Sequence, residues 1–188
     1  MAPGQSGQSS GGGQKQQQGM KPVSNSLPAI IDLEASGFGR GSYPIEVGFA
    51  LEDRAIHSFL IKPAPAWDHW SEEAEQVHGI TRELLQREGK TPREIALIMN
   101  ELLYGKVLYS DAWSFDSSWL ARLFDEAELV QRFRIETINK LLTPEQMELW
   151  HDTKEMLWQQ QEGVNRHRAA NDVKILQETY LRVMQLGA

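Results

Sequence analysis

Ala29-Ile30-Ile31-Asp32-Leu33-Glu34 sets two carboxylates, two residues apart, into an otherwise apolar and β-prone run. A strand sends alternate side chains to opposite faces, so Asp32 and Glu34 share a face. Burying two unpaired charges beside apolar neighbours is costly. A divalent cation bridging them removes that cost, and hard cations such as Mg²⁺ prefer oxygen ligands. By itself Asp-x-Glu is a weak signal, and the rest of the chain decides how it is read.

Downstream of this strand, Ser36-Gly37-Phe38-Gly39-Arg40-Gly41-Ser42 reads as a turn. Two further strands are expected at Pro44 to Leu51 and Ile56 to Ile61, parted by the polar Glu52-Asp53-Arg54. Short connections between three consecutive strands predict an antiparallel meander. Helices follow. Ser71 with Glu72 and Glu73 is a helix start, and Thr91-Pro92-Arg93-Glu94 combines a capping box with proline at the first helical position. Ile95, Ile98, Met99, Leu102 and Leu103 mark the apolar face of that helix, which ends at Gly105. A short strand is expected at Val107 to Tyr109, a helix from Ser117 to Ala127, and a last strand at Phe133 to Glu136. Thr143-Pro144-Glu145-Gln146 repeats the cap signature before a helix to about Gln161, and a final helix covers 168–186. Strands first, then strands alternating with helices, predict an α/β layer fold with helices flanking a mixed central sheet.

Composition bounds the partners. The 188 residues suit one domain, and 40% hydrophobic residues, six Trp and six Phe among them, supply a core. Cysteine is absent, which excludes disulfide scaffolds and thiolate metal sites. Residues 1–28 are Gly, Gln, Ser and Pro with almost nothing apolar, and are expected to form a flexible tail before a domain at 28–188. The formal charge is −7; Lys15 and Lys21 are the only charges in the tail, which leaves −9 for the domain. Such a balance argues against coating nucleic acid by bulk electrostatics, though not against meeting a phosphodiester through bound cations. No apolar run approaches a membrane span and no secretory pattern opens the chain, so a soluble, cytoplasmic protein with no membrane partner is expected. The oligomeric state stays open, a homodimer included.

Further acids strengthen the reading of Asp32 and Glu34. Asp116 follows Phe115 after the strand at 107–109, at a helix start, and Asp172 lies on the last helix, five residues after His167. Five residues turn an α-helix by roughly 500°, so His167 and Asp172 cannot share a helical face. His167 is therefore expected on the connection before the helix, with Asp172 inside its first turns. Asp111 is a second acid close to Asp116 and a decoy for it.

Three segments carry a resemblance: Ile31-Asp32-Leu33-Glu34-Ala35-Ser36-Gly37, Phe115-Asp116-Ser117-Ser118-Trp119-Leu120 and His167-Arg168-Ala169-Ala170-Asn171-Asp172. Two accessory segments also fit, Pro44-Ile45-Glu46-Val47-Gly48 and Val77-His78-Gly79-Ile80-Thr81. In this order they resemble the DEDDh (DnaQ-like) 3′-to-5′ exonucleases, relatives of the polymerase proofreading subunit and ribonuclease T, built on an RNase H-like fold. The resemblance implies hydrolysis of phosphodiester bonds at a nucleic-acid 3′ end, DNA or RNA, with two divalent cations, Mg²⁺ or Mn²⁺. It implies that Asp32 ligates both, that Glu34 and Asp172 hold the one on the nucleophile side, and that Asp116 completes the site largely through water. His167 is then the general base, and Phe38, Val77 and His78 contact the terminal nucleotide. Where many relatives carry His or Asn before the second motif, this chain has Ser110-Asp111-Ala112; the Phe-Asp pair and the following Trp119-Leu120 favour Asp116 over Asp111.

Arg166 and Arg168 flank His167 and have the best claim among the basic residues to phosphate, ahead of Arg132 and Arg134. Trp67, Trp70 and Trp113 are read as core or wall rather than as stacking platforms. The alternative to an enzyme is an exonuclease-fold module acting mainly as a nucleic-acid or protein docking domain, for which the acidic charge and polar tail speak.

Overall fold

A computed structural model describes residues 27–186, and the predicted tail lies outside the described residues apart from Leu27 and Pro28. Leu27 is buried, and the Pro28 carbonyl accepts a hydrogen bond from Gln177 Nε2 at 3.0 Å. The strand that opens the domain is β1 (Ala29–Ala35), followed by β2 (Pro44–Ala50) and β3 (Ile56–Leu60). These pair antiparallel as the expected meander. On the other side of β1 lie β4 (Val107–Ser110) and β5 (Arg134–Thr137), both parallel, which gives the mixed sheet order β3-β2-β1-β4-β5. The helices are α1 (Glu72–His78), α2 (Arg82–Glu88), α3 (Pro92–Leu102), α4 (Trp113–Glu126), α5 (Pro144–Gln159) and α6 (Ala169–Leu186).

Alternation along β1 divides the core. Ile31, Leu33 and Ala35 pack with Ile95 and Met99 of α3 and Leu120 and Leu123 of α4. Ile30 packs on the opposite face with Trp150 of α5 and Val173 and Leu176 of α6. Asp32 and Glu34 have the parity of Ile30, so they project to the α6 side.

Local signals set most boundaries. Both capping boxes are formed, at Thr91 with Glu94 and at Thr143 with Gln146, each with proline in the first turn. Ser71 caps α1 as expected. Helix α4 begins four residues earlier than its composition predicts. Ser110 Oγ accepts from the Ala112 amide at 3.0 Å and turns the chain off β4, which puts Asp116 inside the first turn of α4. The seven-residue α2, capped by Thr81, escapes a periodicity reading, because two turns hold too little repeat to register. Among the described residues no helix is long and apolar enough to cross a membrane.

Two features open a site at the carboxyl ends of β1 and β4. The strands pair only at Ala29–Leu108 and Ile30–Tyr109, and then part. Beyond that point the Leu33 amide donates instead to Asp116 Oδ1 at 3.3 Å, so a helix side chain stands where a neighbouring strand would be. Chain connections leave β1 and β4 in opposite directions, which is where open α/β sheets form a crevice. Gly48 is the second feature. It faces Asp32 across the β1–β2 ladder, and a Cβ there would lie 2.6 Å from the Ala169 carbonyl carbon. The start of α6 rests on the sheet because residue 48 has no side chain. Gly48→Ala is expected to push α6 outward and to destabilise the fold by about 1–3 kcal/mol. Urea unfolding reads this directly, and an unchanged midpoint would show that α6 shifts freely.

Candidate functional site

Asp32 and Glu34 arrive from β1, and Asp172 from the first turn of α6. Each of the three can offer a carboxylate oxygen within 4.8 Å of the other two. Asp32 Oδ2 and Asp172 Oδ2 are buried and have no hydrogen-bond partner among the described residues. Buried carboxylate oxygens facing one another without donors are a poor resting state for protein alone, and the donor set fits an oxygen-coordinated divalent cation. Asp116 is buried beside them; it accepts from the Leu33 amide and from the Ser110 hydroxyl.

These groups raise one another's pKa. Burial foremost, then the charges of Asp116, Asp172 and Glu34, push Asp32 well above the usual carboxylate range. Burial, followed by Asp172 and Glu46, pushes Glu34 up to about 8. Asp116 is pushed up to about 7 mainly by burial, with the Ser110 hydroxyl pulling the other way. Asp172 also reaches about 7, again mainly through burial.

His167 lies on the connection before α6, as the spacing to Asp172 requires, with its backbone at φ 59°. It lines the same cavity of about 370 Å³ as Asp32, Glu34, Asp116 and Asp172. Partial enclosure of the ring, then the positive charges of Arg166 and Lys154, hold its pKa below the ordinary imidazole value. It is therefore neutral near pH 7 and able to accept a proton.

An adjoining cavity of about 260 Å³ is lined by Glu34, Phe38, Val77, His78, Trp119 and His167, among others. The three predicted nucleotide contacts thus share one pocket beside the acids. His78 is buried, and its Nδ1 accepts from the Ile80 amide at 3.0 Å, which leaves the proton on Nε2. That Nε2 is buried without a partner among the described residues. Phe38 is 72% exposed, stands edge-on to Phe115 with centroids 5.3 Å apart, and lies 6.0 Å from Trp119. Phe115 stacks on Trp119 at 5.7 Å. In the sequence Phe115 and Trp119 stand out only as motif neighbours of Asp116; their four-residue spacing on a helix is the available sign of a shared face.

Asp111 and Asp116 are separated by their partners. Asp111 lines the same cavity, but its Oδ2 accepts from Lys154 Nζ at 2.6 Å and from Trp150 Nε1 at 3.4 Å, both on α5. The arginines also divide. Arg166 lines the cavity, pairs with Glu155 at 2.7 Å and lies over the Trp158 ring. Arg168, which the sequence offered to phosphate, turns inward to Glu46. Trp67 is a core residue stacked on Tyr43, as expected. A larger cavity of about 560 Å³, lined by Tyr43, Lys62, Trp67, Arg82 and Arg93, holds none of the clustered acids.

No family model matches the sequence, and no curated protein sequence is detectably similar. Solved structures do match. The fold is similar to that of E. coli Exonuclease I bound to a dT13 oligonucleotide, at 14% identity and TM-score 0.63, over 85% of this chain and 41% of that one. The zinc-bound form of the E. coli Exonuclease I–ssDNA complex matches at 15% identity and TM-score 0.66, over 87% and 43%. A moderately thermophilic Exonuclease I from Methylocaldum szegediense matches at 15% identity and TM-score 0.60, over 86% and 40%. The chain spans about two fifths of the length of these structures. At such identities the likeness establishes the RNase H-like exonuclease fold, an α/β fold with the mixed sheet described above.

Raised carboxylate pKa values carry a sign. Between about pH 4 and 8 the folded, metal-free protein holds protons that the unfolded chain has released, so the contribution of Glu34, Asp116 and Asp172 to stability falls as pH rises through that window. Each such proton is worth roughly 1.4 kcal/mol per pH unit. In EDTA, Asp32→Asn is expected to raise the melting temperature at pH 8 by several degrees, and Mn²⁺ to raise that of the wild type. A lower melting temperature for the variant would contradict mutual repulsion as the dominant effect.

Proposed function

We propose that this chain is a metal-dependent 3′-to-5′ exonuclease. The observation that carries the reading is the cluster of Asp32, Glu34 and Asp172, with two buried carboxylate oxygens that have no partner among the described residues, in one cavity with His167. The oligonucleotide complexes among the structures of similar fold support it.

Asp32, Glu34 and Asp172 would hold two divalent cations, Mg²⁺ or Mn²⁺, with Asp116 completing the site. When bound, the cations would supply Lewis acidity for activating the attacking water and for stabilising the departing 3′-oxygen. His167 takes the proton from that water as it attacks phosphorus; the bond from phosphorus to the 3′-oxygen of the preceding nucleotide breaks, and a nucleoside 5′-monophosphate leaves. The terminal nucleotide occupies the pocket of Phe38, Val77 and His78, where His78 Nε2–H donates to it and the aromatic wall of Phe38, Phe115 and Trp119 meets the base. Lys154, held by Asp111, places a positive charge beside a phosphate in a cleft crowded with acids, and Arg166 lines the same cleft.

A 5′-labelled single-stranded oligonucleotide with Mg²⁺ or Mn²⁺ is expected to shorten from its 3′ end in a ladder that EDTA abolishes. Matched DNA and RNA strands run side by side identify the preferred sugar. Asp32→Ala removes the ladder and leaves the fold intact, and His167→Ala lowers the rate by about 10²–10⁴. Tight binding of the oligonucleotide with no shortening under any cation would instead favour a docking module.

The two neighbouring acids give a separate test. Asp116→Asn is expected to abolish turnover, whereas Asp111→Asn, which releases Lys154 and removes a like charge near Asp116 and Asp172, costs about tenfold or less. The reverse order would assign the site to Asp111.

A further inference from the structure

Glu34 and Glu46 face each other across the β1–β2 ladder and so share one face of the sheet. Their surroundings differ. Glu34 belongs to the acid cluster, whereas both oxygens of Glu46 are taken up by donors. Arg168 Nε reaches Oε1 at 3.3 Å and Oε2 at 3.1 Å, and its Nη2 reaches Oε1 at 3.0 Å. The amide of Ala169, the first residue of α6, donates to Oε2 at 3.0 Å. Ser58 Oγ donates from β3 to Oε1 at 3.1 Å. Glu46 is 2% exposed, and a forked guanidinium contact of this kind fixes orientation as well as charge.

The two residues held in this way directly follow His167. The backbone of His167 is left-handed, which a side chain with a Cβ disfavours, so its surroundings must impose it. Asn171 Nδ2 donates to the Asn165 carbonyl at 2.9 Å and closes the loop around it. One buried carboxylate therefore anchors the downstream end of the turn that presents the imidazole.

We propose that Glu46, acting through Arg168 and the Ala169 amide, is a positioning residue that holds His167 at the reacting water. The proposal rests on the exonuclease reading and adds to it a residue that touches neither cation nor substrate. A misplacement of about 1 Å in a general base costs on the order of 10² in rate.

The test compares Glu46→Gln in the wild-type and His167→Ala backgrounds. In the wild type, kcat is expected to fall about 10- to 100-fold with KM changed less than about threefold, the range found for residues that orient catalytic ligands. Mn²⁺ affinity, measured by calorimetry, stays within about threefold of wild type. In the His167→Ala protein the same substitution changes kcat by less than about twofold, because there is no imidazole left to misplace. A further loss as large as in the wild type overturns the proposal, as does Mn²⁺ affinity falling in step with kcat, which would mean that Glu46 serves Asp172. The NMR signal of the His167 Cε1–H gives a readout free of activity. It is expected to shift or broaden in Glu46→Gln, and an unchanged signal overturns the positioning role even in a protein without nuclease activity. A wild type that degrades no strand, with the signal shifted, overturns the exonuclease reading alone. If Glu46→Gln does not fold, Arg168→Lys, whose side chain reaches solvent, takes its place with a smaller loss of the same pattern.

Discussion

Carboxylates crowd together where two parallel strands part, and their repulsion is the cost around which the domain is arranged. β1 and β4 pair at only two positions before separating, and the gap is filled by Asp116 from α4, which satisfies the Leu33 amide. From the other face Asp172 comes down on α6 to meet Asp32 and Glu34. A stability-driven core would place apolar side chains there. This one keeps acids with raised pKa values and partnerless oxygens, an arrangement that protons or cations must relieve.

Holding the acids together requires close backbone approach on one side and cross-linking on the other. Gly48 supplies the approach by leaving Ala169 room against the sheet. Glu46 supplies the cross-link, gathering Arg168, the α6 terminus and Ser58 onto one buried carboxylate. Two glutamates on one ladder thus have opposite fates. Among the described residues no donor reaches Glu34, which stays chemically available, whereas Glu46 is saturated with donors and becomes part of the frame.

The likeness to Exonuclease I structures at 14–15% identity shows how little sequence this frame needs. Strand order, a crevice between parting strands, and a helix laid across β1 are topological properties. Many apolar residues satisfy them, provided the residue where α6 crosses the sheet, Gly48, stays small.

Features that depend on neighbours along the chain are legible in the residue types themselves. The alternation of β1 puts Asp32 and Glu34 on one face, Thr91 and Thr143 announce their helices through caps that act within three residues, and helical geometry places His167 ahead of α6. The start of α4 escapes such a reading because it depends on the Ser110 hydroxyl rather than on a capping side chain. What only the tertiary structure decides are contacts between distant segments. Motif neighbours favour Asp116 over Asp111 in sequence, but their partners are not legible there: Lys154, 43 residues on, claims Asp111, and the Leu33 amide, 83 residues back, claims Asp116. Arg168 reads in sequence as a cation for phosphate, and its commitment to Glu46 spans 122 residues. Periodicity and capping are written in local residue types, but a side chain's partner depends on which distant surface the packed layers bring within hydrogen-bonding distance.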